Sequence, residues 1–323
     1  MKKLICVMLT VLMIASLFAG CGGTADDGVY KIAIVQQLDH ASLNEIRAAI
    51  EVQLDAIAAE KGIAIEYKDF NGQNDSSMLN QIGAQVVSDG YDAIIPIATT
   101  AAQCMVTAAE GMDLPIIYAA ISDPVEAGLT GLPTVTGVSD ALNTAFILEM
   151  MLAVNPDIQT VGLLYSNSEP NSTTPIKDAK AYLTEKGIDY IEKTGNTADE
   201  VTAAVSALVG RCDAVFTPTD NAIMNVAPTV AEILTEAGIP HYAGADSFVQ
   251  AGSFATCGVN YTELGTYAAT MAMDILLGGA IPEYHVMDGG IITVNIDTAE
   301  ALNIDYSVFD SMANIISLVT HQE

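Results

Sequence analysis

The chain has 323 residues, 51% of them hydrophobic, with 40 acidic against 11 basic side chains and a formal charge of −29. That length exceeds what one hydrophobic core usually organises, so two cores are expected. A surface this acidic repels phosphate backbones and anionic headgroups, which excludes nucleic acid as a partner.

At the N-terminus Lys2-Lys3 precede an apolar run from Leu4 to Ala19, followed by Gly20-Cys21 and a polar stretch to Asp27. The run falls short of the roughly 20 residues that span a bilayer. A basic start with small residues at the cut marks a removable export signal. Gly20-Cys21 resembles the lipobox of bacterial lipoproteins, with Phe18 where Leu or Val is usual. That resemblance implies a diacylated Cys21 holding the protein on the outer face of the cytoplasmic membrane; a plain secretory signal is the alternative. Residues 1–21 are therefore expected to be signal and lipobox, and 22–29 a linker.

Strands and helices then alternate. Lys31 to Val35 reads as a buried strand, and Leu43, Ile46, Ile50, Leu54 and Ile57 follow at helical spacing up to Lys61-Gly62. Ile63 to Tyr67 is a second strand, and Asp75 caps a helix whose apolar side carries Leu79, Ile82, Val86 and Val87. Strands follow at Tyr91 to Ile97, Pro115 to Ala120 and Val135 to Val138. The second half runs through Thr160 to Tyr165, a helix from Ile176, Ile188 to Glu192, a helix from Ala198, Ala214 to Thr217, a helix from Ala227 and His241 to Ala243.

The two halves repeat each other. Lys61-Gly62-Ile63 returns as Lys186-Gly187-Ile188, Asp92-Ala93-Ile94 as Asp213-Ala214-Val215, Leu114-Pro115-Ile116 as Ile239-Pro240-His241 and Gly137-Val138 as Gly258-Val259, at an offset of roughly 121 to 125 positions. Matches of this kind in an unchanging order predict two similar lobes, each a parallel α/β sheet flanked by helices. The chain is expected to change lobes more than once, through a hinge near Ser139-Asp140, Gly258-Val259 and Pro282 to Gly290. Lobe I is assigned 30–138 plus 259–282, and lobe II 139–258 plus 288–323. Cys104, Cys212 and Cys257 are too scattered for a disulfide framework or a metal site and read as core residues.

Ligands of open α/β sheets bind outside the carboxyl ends of the strands, where helix N-termini expose free N–H groups. The loops there are Gln36 to Ser42, Thr99-Thr100, Ser122-Asp123, Ser166 to Ser172, Thr219-Asp220-Asn221 and Asp246-Ser247, rich in Ser, Thr, Asn and Asp and free of Lys and Arg. An anionic sugar phosphate wants a guanidinium or ammonium, so a zwitterion fits better. Thr99, Thr100, Asn171 and Ser172 are candidates for its carboxylate and Asp246 for its ammonium. Asp123, Thr219, Asp220, Asn221 and His40 are further candidates, with Tyr165 and Phe248 as stacking partners. Each has a plainer reading: helix cap, turn residue, solvated histidine or core aromatic.

Leu79-Asn80-Gln81-Ile82, Ile97-Ala98-Thr99, Ser122-Asp123-Pro124-Val125, Val135 to Asp140, Glu169-Pro170-Asn171-Ser172, Pro218-Thr219-Asp220-Asn221 and Asp246-Ser247-Phe248-Val249 together resemble ABC-transporter substrate-binding lipoproteins of the tryptophan/tyrosine type. The resemblance covers Lys31 to about Ile304. It implies the type I periplasmic-binding-protein fold, an amino acid-like, possibly aromatic, ligand closed between the lobes, and permease subunits as partners. Asn260 stands where family members often carry Asp, and Asp246 where many carry Glu. A sensory lipoprotein or a nucleoside receptor of the same fold are the alternatives.

Catalysis finds little support. His40, His241, His285 and His321 are isolated, and neither HExxH nor G-x-S-x-G occurs. A hydrolase would have to draw on Ser122 or Ser172 with His40. Gly-x-Gly phosphate loops are missing after the first strands, so no cofactor and no metal are expected.

Overall fold

The computed structural model describes residues 28–320, so the signal, the lipobox and Cys21 lie outside the described residues. Two sheets organise the chain. The first contains β1 (Val29–Gln36), β2 (Ala64–Asn71), β3 (Ala93–Ile97), β4 (Ile116–Ala119), β5 (Val135–Ser139) and β11 (His285–Val286), in the order β11-β5-β4-β3-β1-β2. The second contains β6 (Thr160–Tyr165), β7 (Asp189–Thr194), β8 (Ala214–Thr217), β9 (His241–Ala243), β10 (Ala255–Gly258), β12 (Ile291–Asn295) and β13 (Asn314–Leu318), in the order β13-β12-β10-β9-β8-β6-β7. Five strands of each sheet therefore share one winding, 5-4-3-1-2 against 10-9-8-6-7, and the sequence repeat is a repeat of topology. Within those five-strand sets all pairings are parallel; β12 runs antiparallel to β10.

The repeated dipeptides have definite work. Gly62 and Gly187 end helices α1 (Ala41–Lys61) and α5 (Thr173–Lys186) in the left-handed conformation, at φ 65° and 72°, where a side chain would clash with its own backbone. Asp92 accepts the backbone N–H of Lys31 at 2.7 Å, and Asp213 accepts those of Gln159 and Thr160, both at 2.9 Å. Each aspartate thus ties the start of one central strand to its neighbour.

Side chains of β1 alternate between two cores, as strand geometry requires. Ile32 and Ile34 join Ile46, Ile50 and Leu54 of α1 and Leu264 and Ala268 of α10 (Tyr261–Leu276). Ala33 and Val35 face Leu79, Ile82 and Val86 of α2 (Ser76–Asp89) and Ala101 and Met105 of α3 (Thr99–Ala108). A separate cluster in the second lobe packs α4 (Thr144–Val154) and α5 on Val161, Leu163, Phe216 and Tyr242. Burying an Ile or Leu side chain contributes about 1.5–3 kcal/mol. Cys104, Cys212 and Cys257 are all unpaired, the last two buried.

Asp75 caps α2, its Oδ1 accepting from Ser77 N at 2.7 Å and Met78 N at 3.1 Å. Asp75→Ala is expected to cost about 1 kcal/mol, the usual worth of such a cap, read as a lowered Tm in thermal unfolding. An unchanged Tm would mean that tertiary packing alone holds the first turn.

The chain passes between the sheets three times, at 140–143, 259–260 and 287–290, each time after a strand: β5, β10 and β11 in turn. Between its second and third crossings it lays α10 against α1 and adds His285–Val286 to the edge of β5.

Candidate functional site

Strand ends of both sheets converge on one small cavity between the lobes. The first lobe supplies His40, Ser42 and Leu43 after β1, Ala98 and Thr99 after β3, Ala120 and Ser122 after β4, Asp140 after β5, and Tyr261 at the start of α10. The second supplies Asn171, Thr219, Asp220, Asn221 and Met224, with Ala245, Ser247 and Phe248 after β9. Its volume is about 30 Å³, room for about two water molecules, so the lobes must stand further apart than they do here to hold anything larger.

The lobes are closed on each other. His40 Nε2 lies 3.0 Å from Asn221 Oδ1, Gln37 Nε2 donates to Glu169 Oε1 at 3.3 Å, the Ser122 and Thr219 hydroxyls are 3.1 Å apart, and Thr174 donates to Asp123 at 2.7 Å. Every one of these pairs joins one lobe to the other.

Two corners are strained. Ala98 has φ 78° and Ala120 φ 59°, conformations that cost an L-residue about 1–2 kcal/mol. Both alanines line the cavity, and strain kept at a strand end facing a cleft is a mark of a binding site. The bends bring the N-terminus of α3 and the Ser122 loop to face the second lobe.

Neither Lys nor Arg lines the cavity, yet carboxyl groups gather around it. Asp140 is buried, and its partners are two neutral hydroxyls, Ser122 Oγ and Tyr261 OH, both at 3.3 Å. Burial pushes its carboxyl up to about 6, against the pull of those two donors. Asp246 begins the short helix α9 (Asp246–Gln250) and is likewise raised to about 6, by burial and then by the charge of Glu45; its Oδ1 has no hydrogen-bond partner. Burial lowers the His40 imidazole, opposed by Asn221 and Asp39. His40 Nδ1, Ser42 Oγ, Thr99 Oγ1 and Asn171 Oδ1 are buried without a partner. Polar atoms in that state cost about 1–3 kcal/mol each unless a bound group satisfies them.

Of the residues singled out from the sequence, His40, Thr99, Asn171, Thr219, Asp220, Asn221 and Phe248 line the cavity. Asp220 is committed to structure: it accepts from Ser166 N, Ser172 Oγ and Ile223 N, at 2.7, 2.7 and 3.0 Å, and caps α7 (Asn221–Met224). Ser172 therefore holds Asp220, and Thr100 N is taken by Gln37 Oε1 at 3.2 Å. Asp123 sits at the cleft edge, and Asp246 lies beside Ala245 and Ser247 rather than in the lining. Tyr165 is away from the cavity, on a groove of the second lobe, because its hydroxyl donates to Glu192 of neighbouring β7 at 2.8 Å. Sequence reasoning passed over Ser42, Tyr261 and Asp140 as binding groups. Asp140 follows a strand end and meets the carboxyl-end rule, but its place at a lobe crossing drew it into the hinge.

Comparison with known proteins fits this geometry. The family model described as ABC transporter substrate binding protein matches residues 31–311. The chain belongs to this family of substrate-binding proteins. It is 31% identical to a tyrosine-binding protein of Clostridioides difficile strain R20291, over 98% of this chain and 96% of that one. It also superposes on an ABC domain from Streptococcus pneumonia in complex with L-Trp, with TM-score 0.82 and 30% identity over 89% of this chain and 99% of that chain. A ligand-free, open substrate-binding protein with adhesive properties from Clostridium difficile gives TM-score 0.69 at 32% identity, over 90% of this chain and 100% of that chain. At nearly equal identity, the substrate-binding protein described here is closer to the ligand-bound relative than to the open one, as the hydrogen bonds across its cleft require.

Proposed function

We propose that this protein is a lipid-anchored receptor, held outside the cytoplasm through Cys21, that closes its lobes around an amino acid, tyrosine or tryptophan in the first instance, and presents the closed form to an ABC permease. The observation that carries this is the cavity: a buried carboxylate, Asp140, faces buried polar atoms without partners, and no cation lines the space between. An ammonium seated on Asp140 supplies the missing charge, with Asp246 as the second acidic group near it. The carboxylate meets the Thr99 and Ser42 hydroxyls, while Leu43, Met224 and Phe248 receive the apolar side chain. Asn171, Thr219, Asp220 and Asn221 form the opposing wall, and Ser172 steadies it. Hinge closure follows because a ligand touching both lobes favours the closed state.

Binding rather than catalysis is the reading the contacts support. Ser122 and Ser172 donate to Asp140 and Asp220, and His40 reaches Asn221 instead of either serine, so neither cleft serine is paired with the cleft histidine as a nucleophile would be with its base. Among the described residues no helix is long and apolar enough to cross a membrane, and no group of three His, Cys, Asp or Glu side chains is placed to hold a metal.

The test is thermal unfolding with L-tyrosine, L-tryptophan, the other amino acids, nucleosides and simple sugars. A ligand at about 100 times its Kd stabilises the folded form by about 2.7 kcal/mol, and L-tyrosine or L-tryptophan is expected to raise Tm clearly. A response confined to nucleosides would overturn the ligand assignment while leaving the receptor class in place.

A further inference from the structure

Glu169 stands in the loop that follows β6, only 5% exposed, although it lines no part of the ligand cavity. Its two donors are amides from opposite lobes: Gln37 Nε2 at 3.3 Å from the first and Asn221 Nδ2 at 2.8 Å from the second. Gln37 is fixed within its own lobe by Asn74 Oδ1 at 2.9 Å and by the Thr100 N–H at 3.2 Å. Asn221 passes the connection on to His40. When the lobes part, Glu169 loses Gln37 and the cover of the first lobe, and returns to water. We infer that Glu169 is a closure latch, in which shutting the cleft on a ligand takes up one proton from solvent at this carboxyl. The inference rests on the proposed closure around a ligand and concerns its regulation.

The charged surroundings favour a neutral carboxyl. Asp220 is buried beside Glu169 and accepts three hydrogen bonds, so it is the better placed of the two to keep its charge. Lys177 and Lys180 line the outer groove next to Glu169, but Lys180 pairs with Glu192 at 3.0 Å and Lys177 acts on Asp123. From the first lobe, His40 is lowered by burial and so is neutral at pH 7.5, and Asp39 beside it adds negative charge. Burial and the Asp220 charge together raise Glu169 to about 8 in the closed form. A neutral carboxyl needs one acceptor, and Asn221 provides it by turning its carbonyl oxygen inward and presenting its amide to His40 Nε2.

The sign follows from linkage. An open, solvated glutamate titrates near 4.3, so between that pH and about 8 the closed form holds the extra proton. Affinity must then rise as pH falls through this window, by up to about tenfold per unit. Below about 6.5 the gain flattens, because His40 resists charging when buried.

The experiment is calorimetric titration with L-tyrosine at pH 7.5 in phosphate and in Tris, whose ionisation enthalpies differ. Wild type is expected to take up about three-quarters of a proton, and E169Q close to none, with E169Q the tighter binder at pH 8.5 and its affinity nearly flat to pH 6.5. Equal proton uptake by both proteins, or none by wild type, would overturn the latch. If L-tyrosine and L-tryptophan give no heat, the ligand reading fails separately, and small-angle scattering of the ligand-free protein decides. Compaction from pH 8.5 to 6.5 in wild type but not in E169Q supports the latch; a radius of gyration equally unresponsive in both overturns it.

Discussion

Asp140→Asn is expected to weaken amino acid binding by about 3 kcal/mol, more than a hundredfold in Kd, since removing one partner of a buried charge pair costs 2–5 kcal/mol. The substitution keeps the shape and one acceptor oxygen but takes away the only charge that the Ser122 and Tyr261 hydroxyls hold in the cavity wall. Without ligand the same change should stabilise the protein. The folded-state pKa of Asp140 is raised from 3.8 to about 6, so the folded form binds more protons than the unfolded form between those values. Stability is therefore lost as pH rises through that window, and the deficit stays in full at pH 7. Asparagine has no proton to lose, and its Tm at pH 7 should exceed that of wild type. A mutant that binds more weakly and melts higher identifies a charge kept for function. Asp246→Asn should cost less, because Asp246 stands beside the lining; the reverse ranking in calorimetry would move the ammonium seat to Asp246.

Much of the fold was legible because the residues that encode it act locally. Left-handed glycines at 62 and 187 and the strand-tying aspartates at 92 and 213 appear in the sequence as repeated dipeptides. Helices α3 and α4 gave no comparable signal. The first, TTAAQCMVTA, is made mostly of small Ala and Thr side chains, and the second, TAFILEMMLAV, is apolar on nearly every side, so neither presents a clear stripe of large apolar residues. Loop positions of the site were readable from the carboxyl-end rule, whereas partners were not. Whether a serine faces ligand or holds an aspartate depends on contacts such as Ser172 to Asp220, 48 residues apart. The strained alanines at 98 and 120 gave no warning either, since a positive φ is ordinarily signalled by Gly, Asn or Asp and not by alanine.

Gly265→Ala tests how tightly the first lobe is built, and it is expected to lower Tm by several degrees. A methyl group at position 265 would lie 2.5 Å from the Ile46 carbonyl oxygen and 2.9 Å from Ala49 Cβ, so α10 must move off α1 or tilt. The obstacle is backbone, which cannot rotate aside as a side chain does. Overpacking of this kind costs about 1–3 kcal/mol, against roughly 1 kcal/mol gained by replacing glycine within a helix. With backbone as the obstacle the cost lies at the upper end, and the net loss is about 2 kcal/mol. The displacement also reaches the ligand, because α10 begins at Tyr261, whose hydroxyl donates to Asp140. Thermal unfolding and L-tyrosine titration of one variant thus read two consequences of one contact. A higher Tm would mean that the helices yield and that propensity decides the sign; a lower Tm with unchanged affinity would mean that the Tyr261–Asp140 wall holds its place even when the helix behind it shifts.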